Sequence, residues 1–440
     1  MSELISKITK YTIIGISSWV LLKIIFLCLI DSIAQTDTIK VVNKYSMTIL
    51  LNSNSSEVFL RKIKGIVKNN MLYKNAIIGL LKSIPNPINH LLGIFSSDLG
   101  IDLGTANTLV FIKNKGVAIR EPSAVARNKK TKEVLAIGQS AKKMIGRAPS
   151  TIEVIRPLRD GVIADFDAAS SILTYYIKKI HETGGNIPRI PRPHVVVGIP
   201  SGVTEVERRA VADAAIDAGA RRVDLIEEPM AAAIGAGLDV ESPEGNFIVD
   251  IGGGTSEIAV ISLGGIVIGR SLRVAGDEMD EAIINYVKLK YSLLLGQPSA
   301  EAIKISIGSA TAFETEGRVP KPKSQIVRGR DLENGLPRSV KLTDGEIREA
   351  LGPIIHEIIT GISDTLEETP PELISDIMER GIYLAGGGSL IHGIDKAITE
   401  ATKMPVHIAD EPLTCVARGC GNLLNNFSLL NKIRIVRGLK

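Results

Sequence analysis

From Asp98 onward the chain alternates short apolar runs with longer segments of helical spacing, and each boundary carries Gly, Pro or Asp. His194 to Ile199 (HVVVGI) reads as a buried strand, closed by Pro200, Ser201 and Gly202. Thr204 to Ala218 then shows the spacing of an amphipathic helix. Val223 to Ile226 reads as a further buried strand, and Glu228-Pro229 opens the next helix with proline in its first turn. Asn246 to Asp250 (NFIVD) is a third strand that runs into glycines, and Gly381 to Leu384 is a fourth. Strands alternating with helices in this way imply an α/β protein with a largely parallel, covered sheet.

Before Asp98 no period persists. Residues 11 to 30 are apolar except for Lys23, about the length that spans a bilayer as a helix, although a lysine near the centre is costly there. Two other readings stand beside a membrane segment. Lys7 and Lys10 ahead of the apolar run, with Ser32-Ile33-Ala34 after it, resemble a signal peptide. Alternatively the protein begins at Met47 or Met71.

Charge separates the same two regions. Residues 1 to 97 hold eleven Lys and Arg against four Asp and Glu, a balance of +7, so the net +4 leaves residues 98 to 440 at −3. A nearly neutral body gives no electrostatic reason to expect nucleic acid as partner. Aromatics at 4% argue against base stacking along a single strand. Cys28, Cys415 and Cys420 form no metal spacing, and the histidines are scattered, so a reduced, cytoplasmic setting is the simplest reading.

The strongest chemical signal is a pair of matching turns, Asp102-Leu-Gly104-Thr105-Ala106-Asn107-Thr108 and Asp250-Ile-Gly252-Gly253-Gly254-Thr255-Ser256-Glu257. Each follows one apolar strand and precedes another (Thr108 to Lys113, Glu257 to Ser262), so each is a hairpin with an aspartate ending its first strand. Glycines let several backbone N–H groups converge on one phosphate oxygen. Two such hairpins facing each other would clamp a polyphosphate, and Asp102 and Asp250 would hold Mg²⁺ through water. Any one such turn can be only a tight hairpin; the duplication implies two related domains with a ligand between them. Neither GxxxxGK[ST] nor a strand-linked GxGxxG occurs. A third glycine run, Ala385 to Leu390, is suited to pass flat against an adenine ring.

With IDLGTANTLV, RPLRDGVIADF, EEPMAAAIGAG, DIGGGTSE, AGDEMDEAIINYV, TPPELISDIMERGI and EEPLTCVARG, the chain from Ser96 to Leu424 resembles the MreB family of rod-shape-determining bacterial actins. The resemblance implies an actin-like ATPase fold: two RNase-H-like domains, each with a small subdomain, around a nucleotide cleft. Domain I would be 98–238, with its subdomain at 127–167. Domain II would be 239–409, with its subdomain at 276–338, before a return to domain I over 410–428. An extension (1–97) and a basic tail (429–440) lie outside the family pattern. ATP with Mg²⁺ is the implied cofactor pair. The phosphate loops would be Gly104, Thr105, Ala106 and Asn107, and Gly252, Gly253, Gly254 and Thr255. Adenosine contacts would come from Gly387, Gly388, Ser389 and Leu390, and from Glu301 and Lys304 on a helix after Ser299. Asp102 and Asp250 match the magnesium aspartates. Glu207 matches the water-positioning glutamate, though Thr204-x-x-Glu207 is also a capping box.

The function so implied is a slow, polymerisation-coupled ATPase. It would form head-to-tail filaments at the inner face of the cell membrane and organise peptidoglycan synthesis with membrane-bound wall-synthesis partners. Membrane contact would come from residues 11 to 30, from residues 76 to 95, or from the loop 185–193, where Ile187 and Ile190 would dip into lipid and Arg189 and Arg192 meet headgroups. That loop can equally be a proline-rich connection packed on the body. The rivals are a small-metabolite kinase on the same fold, which lacks a visible substrate aspartate, and a chaperone-type ATPase, which would need a peptide domain after Leu424.

Overall fold

The computed structural model describes residues 96–182, 192–313 and 323–435, and two five-stranded sheets within them repeat one topology. In the first sheet, β1 (Leu99–Leu103), β2 (Asn107–Ile112) and β3 (Gly116–Pro122) form an antiparallel meander. Then β4 (His194–Ile199) joins parallel to β1, and β5 (Arg222–Glu227) parallel to β4, giving the order β5-β4-β1-β2-β3. The second sheet repeats this with β6 (Asn246–Ile251), β7 (Ser256–Ser262) and β8 (Gly265–Leu272) as the meander. There β9 (Ile382–Ala385) lies parallel to β6 and β10 (Val406–Ile408) parallel to β9. Both sheets are therefore mixed rather than largely parallel. The glycine turns cause this, because a tight turn can join only antiparallel neighbours, whereas parallel neighbours need a crossover.

Period-two alternation decides which helices cover which face. Val195 and Val197 of β4 pack with α1 (Phe166–Glu182) and α2 (Glu205–Asp217) through Ile172, Leu173, Ala212 and Ala215. Val196 points the other way, towards α3 (Glu228–Ala236) and, near the end of the described chain, a helix at Cys415–Leu423. These two helices also meet Ile248, Ala259 and Ile261 of the second sheet, so they fill the space between the sheets. They cross in near contact: a Cβ on Gly235 would lie 1.8 Å from the Cys415 carbonyl oxygen, and one on Gly419 1.9 Å from that of Ala231. Only glycine fits either position.

The second sheet carries α4 (Gly276–Tyr291), α5 (Gln297–Ile307) and α6 (Asp344–Glu368). Met279, Ile283, Leu351 and Ile358 from them are fully buried against Phe247 and Val249, each such side chain contributing roughly 1.5–3 kcal/mol. The helix bearing Glu301 and Lys304 starts at Gln297, two residues earlier than expected, because Pro298 fits a first turn. A three-stranded sheet (Val125–Asn128, Val134–Ile137, Ile152–Ile155) lies between β3 and α1. Another (Leu293–Leu294, Ser324–Asp331, Pro337–Thr343) packs beside α4 and α5.

After β10 the chain returns to the first sheet through α7 (Cys415–Leu423), then forms α8 (Phe427–Ile433). The expected start of the basic tail, residue 429, falls inside this helix. Leu429 and Leu430 are buried there, Asn426 caps it, and the Ile435 N–H donates to the Leu225 carbonyl of β5. Arg192 differs from expectation as well. It is 5% exposed, and its backbone N–H donates to Ser96 Oγ, so it is not a headgroup ligand. Residues 11–30, 76–95, Arg189, Ile187 and Ile190 lie outside the described residues. Among those described, no helix is long and apolar enough to cross a membrane.

Candidate functional site

The two glycine hairpins end β1 and β6, the central strands of the two sheets, and they face each other across one cleft of about 690 Å³. The turns nearly touch: a Cβ on Gly253 would lie 2.6 Å from that of Ala106, and one on Gly254 2.9 Å from Thr105 Oγ1. Local bonds fix each turn. Ser123 Oγ donates to the Gly104 carbonyl (2.6 Å), and the Gly252 N–H to that of Thr255 (2.9 Å). The second loop is further tied to the start of α4, where the Asp277 N–H donates to the Gly253 carbonyl at 2.7 Å.

Asp102 and Asp250 occupy equivalent register positions, beside Gly198 of β4 and Ala385 of β9. Both line the cleft floor, enclosed by protein except toward the cavity. Burial pushes the Asp102 carboxyl up to about 7. For Asp250, burial first and then the charges of Asp102 and Glu257 push it to about 8. Glu228, 9% exposed at the start of α3, also lines the cleft; burial and then Glu257, Asp102 and Asp250 raise its carboxyl well above the usual range. Glu257 is raised as well, chiefly by burial, while it accepts from Ser271 Oγ (2.6 Å) and the Ser201 N–H (3.2 Å). Among the described residues, Asp102, Glu228 and Asp250 have no cationic partner. Gathered carboxylates without one are costly, so this floor fits a cation.

At the other end Gly386 (φ +78°) bends the chain so tightly that a Cβ would lie 2.3 Å from the Ile251 carbonyl oxygen. Gly387, Gly388 and Leu390 line the cleft there, as do Glu301 and Lys304. Lys304 Nζ is 2.8 Å from Asp280 Oδ1 and donates to the Gly276 carbonyl (2.6 Å), so it steadies the start of α4, to which the second glycine turn is tied. Ser389 is not in the lining: it is fully buried, and its Oγ donates to the Gly386 carbonyl (2.7 Å), holding the turn. Two ion pairs bridge the cleft between its two sides, Lys142–Glu301 (2.6 Å) and Arg156–Asp277 (2.7 Å).

The structure places Glu207 on the expected capping box. It does not line the cleft; its Oε2 accepts from the Thr204 N–H (2.7 Å) and Oγ1 (2.8 Å), completing the capping box of α2. Hydrogen bonds from Thr204 hold its carboxyl below the usual range. Glu207→Ala should lower stability by about 1 kcal/mol or less through loss of the cap, and a fall in ATP turnover out of proportion to that loss is the mark of the water-positioning role that the resemblance implies. A thermal melt and a phosphate-release assay on the same sample check both. The carboxylate the sequence reading missed is Glu228. Its signal was present: an acidic residue at the end of a buried parallel strand and the start of a helix, where α/β sheets place their sites.

Comparison with known proteins decides what this architecture is. Residues 96–432 match the family described as MreB/Mbl protein. The chain belongs to the MreB/Mbl family. Among MreB/Mbl proteins, the cell shape-determining protein MreB of Escherichia coli (strain K12) is 50% identical over 336 residues, 76% of this chain and 94% of the relative. The cell shape-determining protein Mbl of Bacillus subtilis (strain 168) is 44% identical over 342 residues, covering 78% of this chain and all of Mbl. Of solved structures, MreB5 of Spiroplasma citri bound to ADP superposes with a TM-score of 0.71 at 38% identity, over 77% of this chain and 98% of that one. A MamK double helical filament shares the fold, with a TM-score of 0.61 at 24% identity over 74% of this chain and 98% of MamK. The fold of this MreB/Mbl member is thus the actin-like one, and its expected phosphate loops lie on the cleft shared by its two sheets.

Proposed function

We propose that this chain binds ATP with Mg²⁺ in the cleft, hydrolyses it slowly, and assembles head-to-tail into filaments that determine cell shape. The observation that carries this reading is the pair of facing glycine hairpins above Asp250, buried, and Asp102, half-buried, which have no cationic partner among the described residues. The MreB5 structures bound to ADP and to AMPPNP support it, as does the shape-determining role in the relatives' names.

In this reading the N–H groups of Gly104 to Asn107 and of Gly253 to Thr255 hold the phosphates from opposite sides, while the Gly252 N–H closes its own turn on the Thr255 carbonyl. Asp102 and Asp250 hold Mg²⁺ through water, since among the described residues no three such side chains converge as direct ligands. When bound, the ion neutralises charge on the phosphate oxygens. Glu228, kept towards its neutral form, can both donate to and accept from one water and so orient it. Phosphoryl transfer depends mainly on such positioning. The Lys142–Glu301 and Arg156–Asp277 bridges hold the two sides together in the free subunit, and closure on assembly would complete the geometry.

We place the filament at the inner face of the cell membrane, organising peptidoglycan synthesis with membrane-bound partners. The supports are the apolar stretches of the extension and Ile187 and Ile190. Sedimentation tests the core of the proposal. ATP with Mg²⁺ should drive the chain into the pellet, and EDTA should return it to the supernatant. A protein that stays in solution with ATP and Mg²⁺ at every concentration tried would rule out the filament reading and favour a kinase.

A further inference from the structure

Asp277 joins the second glycine turn to the opposite side of the cleft. Its N–H donates to the Gly253 carbonyl (2.7 Å), and its Oδ1 accepts from Arg156 Nη1 (2.7 Å). Beside it, the Gly276 N–H donates to the Gly252 carbonyl (3.3 Å). A trans peptide points its C=O and the N–H that follows in opposite directions. Holding the Gly252 and Gly253 carbonyls at the first turn of α4 therefore turns the Gly253 and Gly254 N–H groups away from that helix. These are two of the donors assigned above to phosphate, so the start of α4 sets their direction.

Arg156 reaches Asp277 from a segment that is itself seated on both glycine turns. It follows the strand Ile152–Ile155, and the Pro157 carbonyl after it accepts from the N–H groups of Ala164 (2.8 Å) and Asp165 (3.1 Å). Between these lies a tight turn at Asp160 (φ +50°) and Gly161 (φ +75°). The Gly161 N–H donates to Thr105 Oγ1 of the first loop (3.3 Å), and a Cβ on Gly161 would lie 3.2 Å from Thr255 Cγ2 of the second. A Cβ on Gly254 would lie 3.1 Å from the Asp160 nitrogen. Arg156, Gly161 and Asp277 all line the cleft. The other bridge, Lys142–Glu301, ends on α5 instead. We propose that Arg156 and Asp277 form a positioning latch, which when closed fixes the second phosphate loop and retains nucleotide, and when open lets it leave. This rests on the nucleotide-binding reading above. The two side chains are 23% and 24% exposed, so salt reaches the pair and weakens it.

The test is the rate at which a fluorescent ATP analogue, bound with Mg²⁺, leaves the full chain at low and at high salt. Arg156→Gln and Asp277→Asn should each speed release about tenfold, the scale of one charge-assisted hydrogen bond. Asparagine keeps the volume and the backbone N–H on Gly253. The double variant should release no faster than either single one, because both changes remove the same pair. Salt should speed release from wild type more than from Asp277→Asn, a difference that a merely structural role would not produce. Arg156→Lys, which keeps the charge, should retain that salt dependence and decides the matter if glutamine disturbs the fold. Wild-type release rates in both single variants, or additive effects in the double variant, overturn the latch alone. Failure of wild-type protein to bind ATP at all overturns the nucleotide reading beneath it.

Discussion

Glu228→Gln is expected to slow ATP hydrolysis by about 10²–10⁴-fold, the range lost when a positioned acid–base group is removed, while ATP binding stays near the wild-type level. Glutamine keeps the volume and one acceptor but cannot exchange a proton with water. A neutral amide also removes one member of a crowded acidic group, where burial first and then the neighbouring charges raise the Glu228 carboxyl. The folded protein should therefore be no less stable than wild type. Single-turnover hydrolysis by preformed filaments, beside a binding isotherm, separates the two effects. Wild-type turnover in this variant would remove Glu228 from the chemistry.

The second large effect belongs to Asp250. Asp250→Asn should weaken the Mg²⁺-dependent part of ATP binding on the order of 10–100-fold, as loss of an outer-shell ligand does. The same change should raise the melting temperature of the nucleotide-free protein. The sign follows from the carboxyl being raised to about 8 by burial and by Asp102 and Glu257. In the unfolded chain an aspartate ionises near pH 4, so between about pH 4 and 8 the native state binds the extra proton. Stability from this group is thus present at low pH and falls as pH rises through that window. Asparagine stays neutral and removes the fall. Melting curves of nucleotide-free protein at pH 5.5 and 8.5 should show a larger loss for wild type than for Asp250→Asn. Equal losses, or unchanged Mg²⁺ dependence of binding, would contradict the assignment.

Both predictions set function against fold stability at the same residues. A floor of gathered carboxylates is unfavourable for the empty protein, and in the proposed function a cation with phosphates would offset that cost. The surrounding cores carry that burden, with the central strands β1 and β6 fully buried at most positions.

Much of this was legible in the sequence because the information is local. HVVVGI is a strand since an uninterrupted β-branched run can bury both faces, and the observed β4 has the expected bounds. The helix after Thr204 was legible from its capping box, and both glycine hairpins from an aspartate, glycines and a threonine in fixed order. Duplication of that order was enough to anticipate two related domains. The resemblance to the MreB family added the identity of the fold, and the family match agrees with it.

What the tertiary structure alone decided concerns residues that local pattern treats alike. Glu207 and Glu228 both stand in the first turn of a helix that follows a buried strand. Only the packing of α3 between the two sheets carries Glu228 to the cleft floor, whereas Glu207 remains on its capping box. Ser389 sits amid a glycine run suited to ligand contact, yet its hydroxyl turns inward to hold the bend. Arg192, polar and beside prolines, is buried against chain brought from Ser96. Phe313 and His392 are 79 residues apart and meet only because a single bridge joins Ser309 to His392. Sequence specifies which backbone can bend and which side chains can be buried, through interactions a few residues long. Which carboxylate meets which loop depends on how two sheets and the helices between them pack, and that is set by contacts between residues far apart in the chain.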